Sequence, residues 1–164
     1  LKTLLIIRHA KSSWDISTLS DFERPLNDRG KKDAPEMAQR MLEKKISIDA
    51  FISSPAKRAK KTAELFSHIY KRKEEEIIFV SALYHADVQT FYNTIEQIDD
   101  QYDTVALFSH NPGITSFVNE LTNAIRVDNM PTCAVFAVKI NIAKWKDFKK
   151  ASKEFLFLDY PKNQ

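Results

Sequence analysis

The chain has 164 residues, of which 43% are apolar and 29% charged. That length closes a core without disulfide or metal staples, and the balance excludes a disordered chain. Lysine plus arginine exceeds aspartate plus glutamate by 25 to 22, a net charge of +3, too slight by itself to announce a nucleic-acid or membrane partner.

Scarcity excludes more. Gly30 and Gly113 are the two glycines, so neither a dinucleotide fingerprint nor a P-loop can be written. Cys133 is the one cysteine; it forms no intrachain disulfide and builds no cysteine zinc site. His9, His68, His85 and His110 never fall at the spacing of a helical metal pair. No apolar run reaches the length of a membrane span, and the chain opens on a strand-like segment rather than on a leader. The expectation is one domain over residues 1–164, soluble and cytoplasmic.

In chain order, Leu4-Leu5-Ile6-Ile7 reads as a strand covered on both faces. The segment from Lys11 to Arg29 reads as the longest loop, and long loops within compact domains are often functional. Ala34, Met37, Ala38, Met41 and Leu42 then trace one helix face, with Pro35 near its start. A short strand at Ala50–Ile52 leads to Pro55, placed at the first helical position, and to a stripe of Ala59, Ala63, Phe66 and Tyr70. Ile77–Val80 repeats the first strand pattern. Val88, Phe91, Tyr92, Ile95 and Ile98 form a third helix with Asp87 as N-cap. Val105–Phe108 is a strand, and Ile114, Phe117, Val118 and Leu121 a fourth helix. Strands at Cys133–Val138 and Phe155–Leu158 follow, separated only by a lysine-rich segment around Trp145, which permits an antiparallel strand near the C-terminus. Strands alternating with helices predict an α/β sheet, largely parallel, with helices on both faces.

Such sheets bind ligands beyond the carboxyl ends of their strands. Three strand ends carry Arg8-His9, the Ser53-Ser54-Pro55-Ala56-Lys57-Arg58 segment and Ser109-His110. Parallel strands would bring Arg8, Arg58, His9 and His110 to one rim. Arg58 falls in a first helical turn, where a cation is unfavourable unless an anion joins it. Arginine forks match phosphate oxygens. A neutral imidazole can attack phosphorus, and a second can donate to the same oxygens. With arginines supplying charge, such chemistry needs no metal or other cofactor. Trp14 and Asp15 either rim the pocket or anchor the loop. Asn111 either presents its backbone N–H to phosphate or caps the fourth helix. Cys133 is expected to be a buried, inert thiol.

These residues resemble the motifs of the histidine phosphatase, or phosphoglycerate mutase-like, superfamily. Arg8-His9-Ala10 is similar to its defining triplet, and Ser53-Ser54-Pro55-x-x-Arg58 to its second arginine motif. His110-Asn111-Pro112-Gly113, Arg24-Pro25-Leu26-Asn27 and Leu83-Tyr84-x-Ala86 resemble the bacterial phosphohistidine phosphatases of the SixA type. The resemblance implies a three-layer α/β/α sandwich on a mixed, mostly parallel sheet with one antiparallel strand at 133–139. It implies that His9 is the nucleophile and that Arg8, Arg58 and His110 hold the phosphoryl oxygens. One departure matters. Many members have a glutamate after the third strand that protonates the leaving oxygen; here Ser81–Asp87 contains none. An alkoxide leaves poorly without a proton, whereas an imidazole leaves readily from phosphorus. The expected activity is therefore a metal-independent phosphatase acting on a phosphohistidine-carrying protein. Two alternatives stand beside it: a phosphatase of small phosphomonoesters, with His85 or Asp87 as general acid, and a non-catalytic phosphate- or nucleic-acid-binding module. The lysine runs behind the nucleic-acid reading are interleaved with acids, as solvated faces usually are.

Overall fold

Seven residues, Lys2–Arg8, form β1 at the heart of the sheet. The computed structural model describes residues 1–15 and 18–163. Along β1 the side chains alternate between faces: Leu4 and Ile6 enter one core, Leu5 and Ile7 the other. An unbroken apolar run is what such double burial demands. The remaining strands are β2 (Ala50–Ser53), β3 (Ile78–Phe79), β4 (Thr104–Ser109), β5 (Val135–Ile140) and β6 (Lys153–Asp159), in the spatial order β3-β2-β4-β1-β5-β6. The pairs β1–β4, β2–β4 and β2–β3 are parallel, while β5 runs antiparallel to both β1 and β6. The single reversed strand lies where it was expected, although Cys133 and Ala134 precede it.

The helices are α1 (Asp28–Glu43), α2 (Lys57–Ile69), α3 (Val88–Glu96) and α4 (Gly113–Leu121). Residues of α1 and α2 share the core of Leu5 and Ile7; residues of α3 and α4, with Trp145 and Phe148, share that of Leu4 and Ile6. The result is the three-layer sandwich, with a hydrophobic core on each side of the sheet. Among the described residues, no helix is long and apolar enough to cross a membrane.

Three local expectations need correction. The run Ile77–Val80 does not make a strand buried on both faces: only Ile78 and Phe79 pair, at the sheet edge, and they are 40% and 43% exposed. An edge strand has one neighbour and is kept short, which limits unwanted pairing. Helix α1 begins at Asp28, where the Asn27 side chain accepts from the Gly30 N–H at 2.9 Å, so Pro35 lies well inside it. Nothing in the apolar stripe marks that earlier turn; close packing does, since a Cβ on Gly30 would collide with the Lys11 carbonyl. Pro55 stands before the Ala56 N-cap of α2 rather than inside the helix, while Arg58 does occupy the first turn.

At the amino end of β1, Lys2 is buried. Its ammonium donates to the carbonyls of Asp100 (2.6 Å) and Tyr102 (3.2 Å) and to the Asp103 carboxylate (2.9 Å). At the carboxyl end the strands stay in register, with Ile7 opposite Phe108 and Phe108 opposite Ser53. The segments that leave β1, β2 and β4 therefore emerge side by side.

Candidate active site

Backbone hydrogen bonds hold those three exits together. His9 N donates to Ser109 O (3.1 Å), Ser54 N to Phe108 O (3.0 Å), and Cys133 N to both Arg8 O (3.1 Å) and His9 O (3.0 Å). Cys133 adopts φ 61° to do so, a left-handed conformation uncommon for a side chain with a Cβ. Thr62 of α2 ties the helix to the loop: its hydroxyl accepts from Ala10 N (3.0 Å) and donates to Arg58 O (2.7 Å). Above this frame lies a cavity of about 400 Å³ whose lining includes Arg8, His9, Arg58, His110 and Asn111. Residues separated by as many as a hundred positions thus share one site.

His9 has a defined protonation pattern. Its Nδ1 lies 2.7 Å from the Ala10 carbonyl, which only accepts, so Nδ1 carries the hydrogen. Nε2 keeps a lone pair, and Arg58 Nε donates to it at 3.4 Å. Burial, and then the charges of His110, Arg58 and Arg8, hold the ring well below the ordinary histidine range against the opposing Ala10 bond. Both influences favour the neutral ring, with its lone pair on Nε2.

The His110 ring centroid is 5.1 Å from that of His9. Its Nε2 meets Ser54 Oγ at 2.7 Å, and its Nδ1 is buried without a partner. Burial, followed by the charge of Arg58, pushes its pKa down to about 3. Arg8 donates through Nη1 to Met130 O (2.8 Å), while its buried Nε has no partner. Among the described residues, two buried nitrogens in residues lining this one cavity lack partners, Arg8 Nε, which can only donate, and His110 Nδ1.

Asp21 is the residue sequence reasoning missed. Its carboxylate accepts from Arg58 Nη2 (3.0 Å), Arg24 Nε (3.1 Å) and the Tyr84 hydroxyl (2.6 Å), and its carbonyl accepts from Arg58 Nη1 (2.7 Å). Desolvation pushes its pKa up, but the Tyr84 hydroxyl and the two arginines outweigh it and hold the carboxyl well below the usual range. The only signal available was its place in the long loop. Arg24, from the Arg24-Pro25-Leu26-Asn27 motif, also donates to Ser12 Oγ (2.6 Å) and stacks 3.5 Å from the Trp14 ring centre. Trp14 lines the cavity; Asp15 is not among its lining residues.

The remaining candidates divide. His85 lines the cavity, its ring 4.0 Å from that of Tyr84. Asp87 is not part of that lining; its Oδ1 caps α3, accepting from Thr90 N (2.9 Å) and Thr90 Oγ1 (2.7 Å). These bonds lower its pKa. The Asn111 amide donates to Asn129 Oδ1 (2.6 Å) and Met130 O (3.2 Å), and its oxygen accepts from Thr115 Oγ1 (2.6 Å), bracing the loop that supplies the carbonyl for Arg8. Cys133 is fully buried, and burial raises its thiol pKa. Among the described residues, no three His, Cys, Asp or Glu side chains gather as metal ligands do.

Fold and site together define a layered α/β protein with a cavity lined by two arginines and two histidines. The sequence matches the histidine phosphatase superfamily (branch 1) over residues 4–85, half of its length, and the chain belongs to that superfamily. The matched span contains Arg8, His9 and Arg58 but ends before His110. Among solved structures, the protein histidine phosphatase SixA complexed with tungstate superposes with a TM-score of 0.81 at 22% identity, covering 97% of each chain. An uncharacterized chloroplastic protein of Arabidopsis thaliana is 28% identical over 132 residues, 75% of this chain and 60% of its own length. The probable 2-carboxy-D-arabinitol-1-phosphatase of the same plant is 32% identical over 100 residues, 58% of this chain and 20% of its own. The chain thus spans less than two thirds of the first plant relative and about a fifth of the second.

Proposed function

We propose that the protein is a metal-independent phosphatase that removes the phosphoryl group from a histidine on a protein substrate. The observation that carries this reading is the unprotonated His9 Nε2, held 3.4 Å from Arg58 Nε in a cavity shared with Arg8 and His110. In the first step the Nε2 lone pair attacks phosphorus, and the phosphorus–nitrogen bond of the substrate breaks. Its electron pair stays on the departing imidazole, which takes a proton from water. In the second step water attacks phosphorus on His9, phosphate departs, and the Nε2 lone pair is restored. Arg8 and Arg58 stabilise charge on the oxygens in flight, the role preorganised donors play in phosphoryl transfer.

The choice of phosphohistidine rests on the weakness of proton donors around the cavity. Asp21 is held ionised and has no proton to give near neutrality, and Asp87 is engaged as a helix cap. A leaving group that needs little help is favoured. His85, on the cavity wall, supports the second reading, a phosphatase of small esters with His85 as the acid. The likeness to a plant sugar-acid phosphatase speaks for that reading too.

Parallel rate measurements on a phosphohistidine-bearing phosphotransfer domain and on small phosphate esters decide between them. The expected result is a clear preference for the protein substrate; faster turnover of esters, abolished by His85→Ala, would overturn it. His9→Ala is expected to lose both turnover and acid-labile phosphate trapped on the enzyme, and EDTA is expected to leave the rate unchanged. Wild-type activity in His9→Ala removes the nucleophile assignment.

A further inference from the structure

Ser54 is fully buried, and its hydroxyl has two neighbours. Ala56 N donates to Oγ at 3.2 Å, and His110 Nε2 lies 2.7 Å away. A hydroxyl has one hydrogen to give, and a neutral imidazole carries hydrogen on one nitrogen only. Two arrangements are possible. If His110 carries its hydrogen on Nε2, Ser54 Oγ accepts from both neighbours and its own hydrogen points at nothing. The His110 Nδ1 lone pair is then buried and unpaired as well. If His110 carries its hydrogen on Nδ1, the Ser54 hydroxyl donates to Nε2 and still accepts from Ala56. Only the Nδ1–H is left over.

The two arrangements form the same two hydrogen bonds, but the second leaves one polar group unmet instead of two among atoms buried from water, and unmet buried polar groups are costly. We propose that Ser54 is a positioning residue: it holds His110 as the Nδ1–H tautomer, so that the nitrogen left without a partner carries a hydrogen-bond donor rather than a lone pair. His110 then complements His9, whose Nδ1 is bound to Ala10 and whose Nε2 offers the lone pair. One histidine is set to attack and the other to donate, and the hydrogen bond at the far nitrogen fixes each choice. The neutral state this requires agrees with the depressed basicity that burial gives His110.

The inference deepens the reading of the cavity as a phosphoryl site, and its test reads out without turnover. In ¹⁵N-labelled full-length protein, long-range proton–nitrogen correlation spectra, assigned by loss of the signals in His110→Asn, report which ring nitrogen is protonated. The expected wild-type spectrum has a pyrrole-like Nδ1 and a pyridine-like Nε2 for His110. Ser54→Ala is expected to give a mixture of tautomers and to weaken tungstate binding about tenfold, the worth of one hydrogen bond. Ser54→Thr is expected to restore both. A pyridine-like Nδ1 in the wild type overturns the proposal, and so do unchanged His110 signals and tungstate affinity in a folded Ser54→Ala. If that variant does not fold, the wild-type spectrum alone decides. Absence of phosphohistidine turnover in a protein with the expected tautomer would instead remove the substrate reading and leave Ser54 its role.

Discussion

His9 and His110 are two imidazoles of the same kind, yet their surroundings divide their work. The acceptor at Nδ1 of His9 and the hydroxyl at Nε2 of His110 direct opposite nitrogens toward bonding. Their shared burial also makes the fold sensitive to acid. In the unfolded chain both rings titrate near the ordinary value of about 6.5. In the fold His110 titrates at about 3, and His9 is lowered as well. Between those limits the unfolded state holds more protons, so acidification favours unfolding. The histidine contribution is whole above about pH 6.5 and is lost as pH falls toward 3, by at most about 1.4 kcal/mol per pH unit for each ring. Urea denaturation from pH 7 to pH 4.5 should show that decline, and His110→Gln should flatten it; a slope unchanged in the variant contradicts the assignment. The four residues of the pocket were legible in the sequence because each ends a strand, directly follows one or opens the helix after one. Asp21 and Ser54 were not. Their roles arise from contacts with Arg58 and His110, 37 and 56 positions away, and a lone aspartate in a polar loop or serine at a strand end has no periodicity to betray such a partner.

At the scale of elements, each helix start near the rim solves a different problem. Helix α2 carries no side-chain cap and places Arg58 in its first turn, so its free N–H groups and its cation favour an anion together. Helix α4 opens on Gly113 because a Cβ there would collide with the Ala86 carbonyl, and this contact seats the 81–87 turn against the His110 loop. Helix α3 is capped by Asp87, the role its position before an apolar stripe implied. That commitment separates stability from catalysis. Asp87→Ala is expected to lower the melting temperature while phosphohistidine turnover persists, and Asp87→Asn, which caps equally well, to restore the melting temperature. A parallel loss of rate in both variants would make Asp87 the acid after all. That strands alternate with helices in a largely parallel sheet was readable from runs and periods; the spatial order of the strands was not. The early start of α1 was not, because it depends on Asn27 capping and on Gly30 touching Lys11, neither of which leaves a mark on hydrophobic spacing.

Across the whole molecule, the two faces of the sheet support two separate cores, and the candidate site sits on the rim between them. That much follows from parallel strands alone: once β1, β2 and β4 run the same way, their carboxyl ends share an edge. The reversed β5 adds a return path, so the segment before it reaches the rim and supplies the Met130 carbonyl to Arg8. The opposite edge is given over to Lys2, whose three acceptors come from the turn before β4. Lys2→Ala removes a buried stem and strands the Asp100 carbonyl, while that of Tyr102 keeps Trp145 Nε1 at 2.8 Å, and should cost about 2–4 kcal/mol in a denaturant titration with kcat/KM unchanged at 25 °C. A fall in kcat/KM without loss of stability would show the two edges to be coupled. β1 therefore behaves as a spindle about 20 Å long, tethered at one tip and reactive at the other. An engineer seeking heat tolerance has a whole hemisphere around Lys2 in which to work, with the reacting groups a full strand's length away.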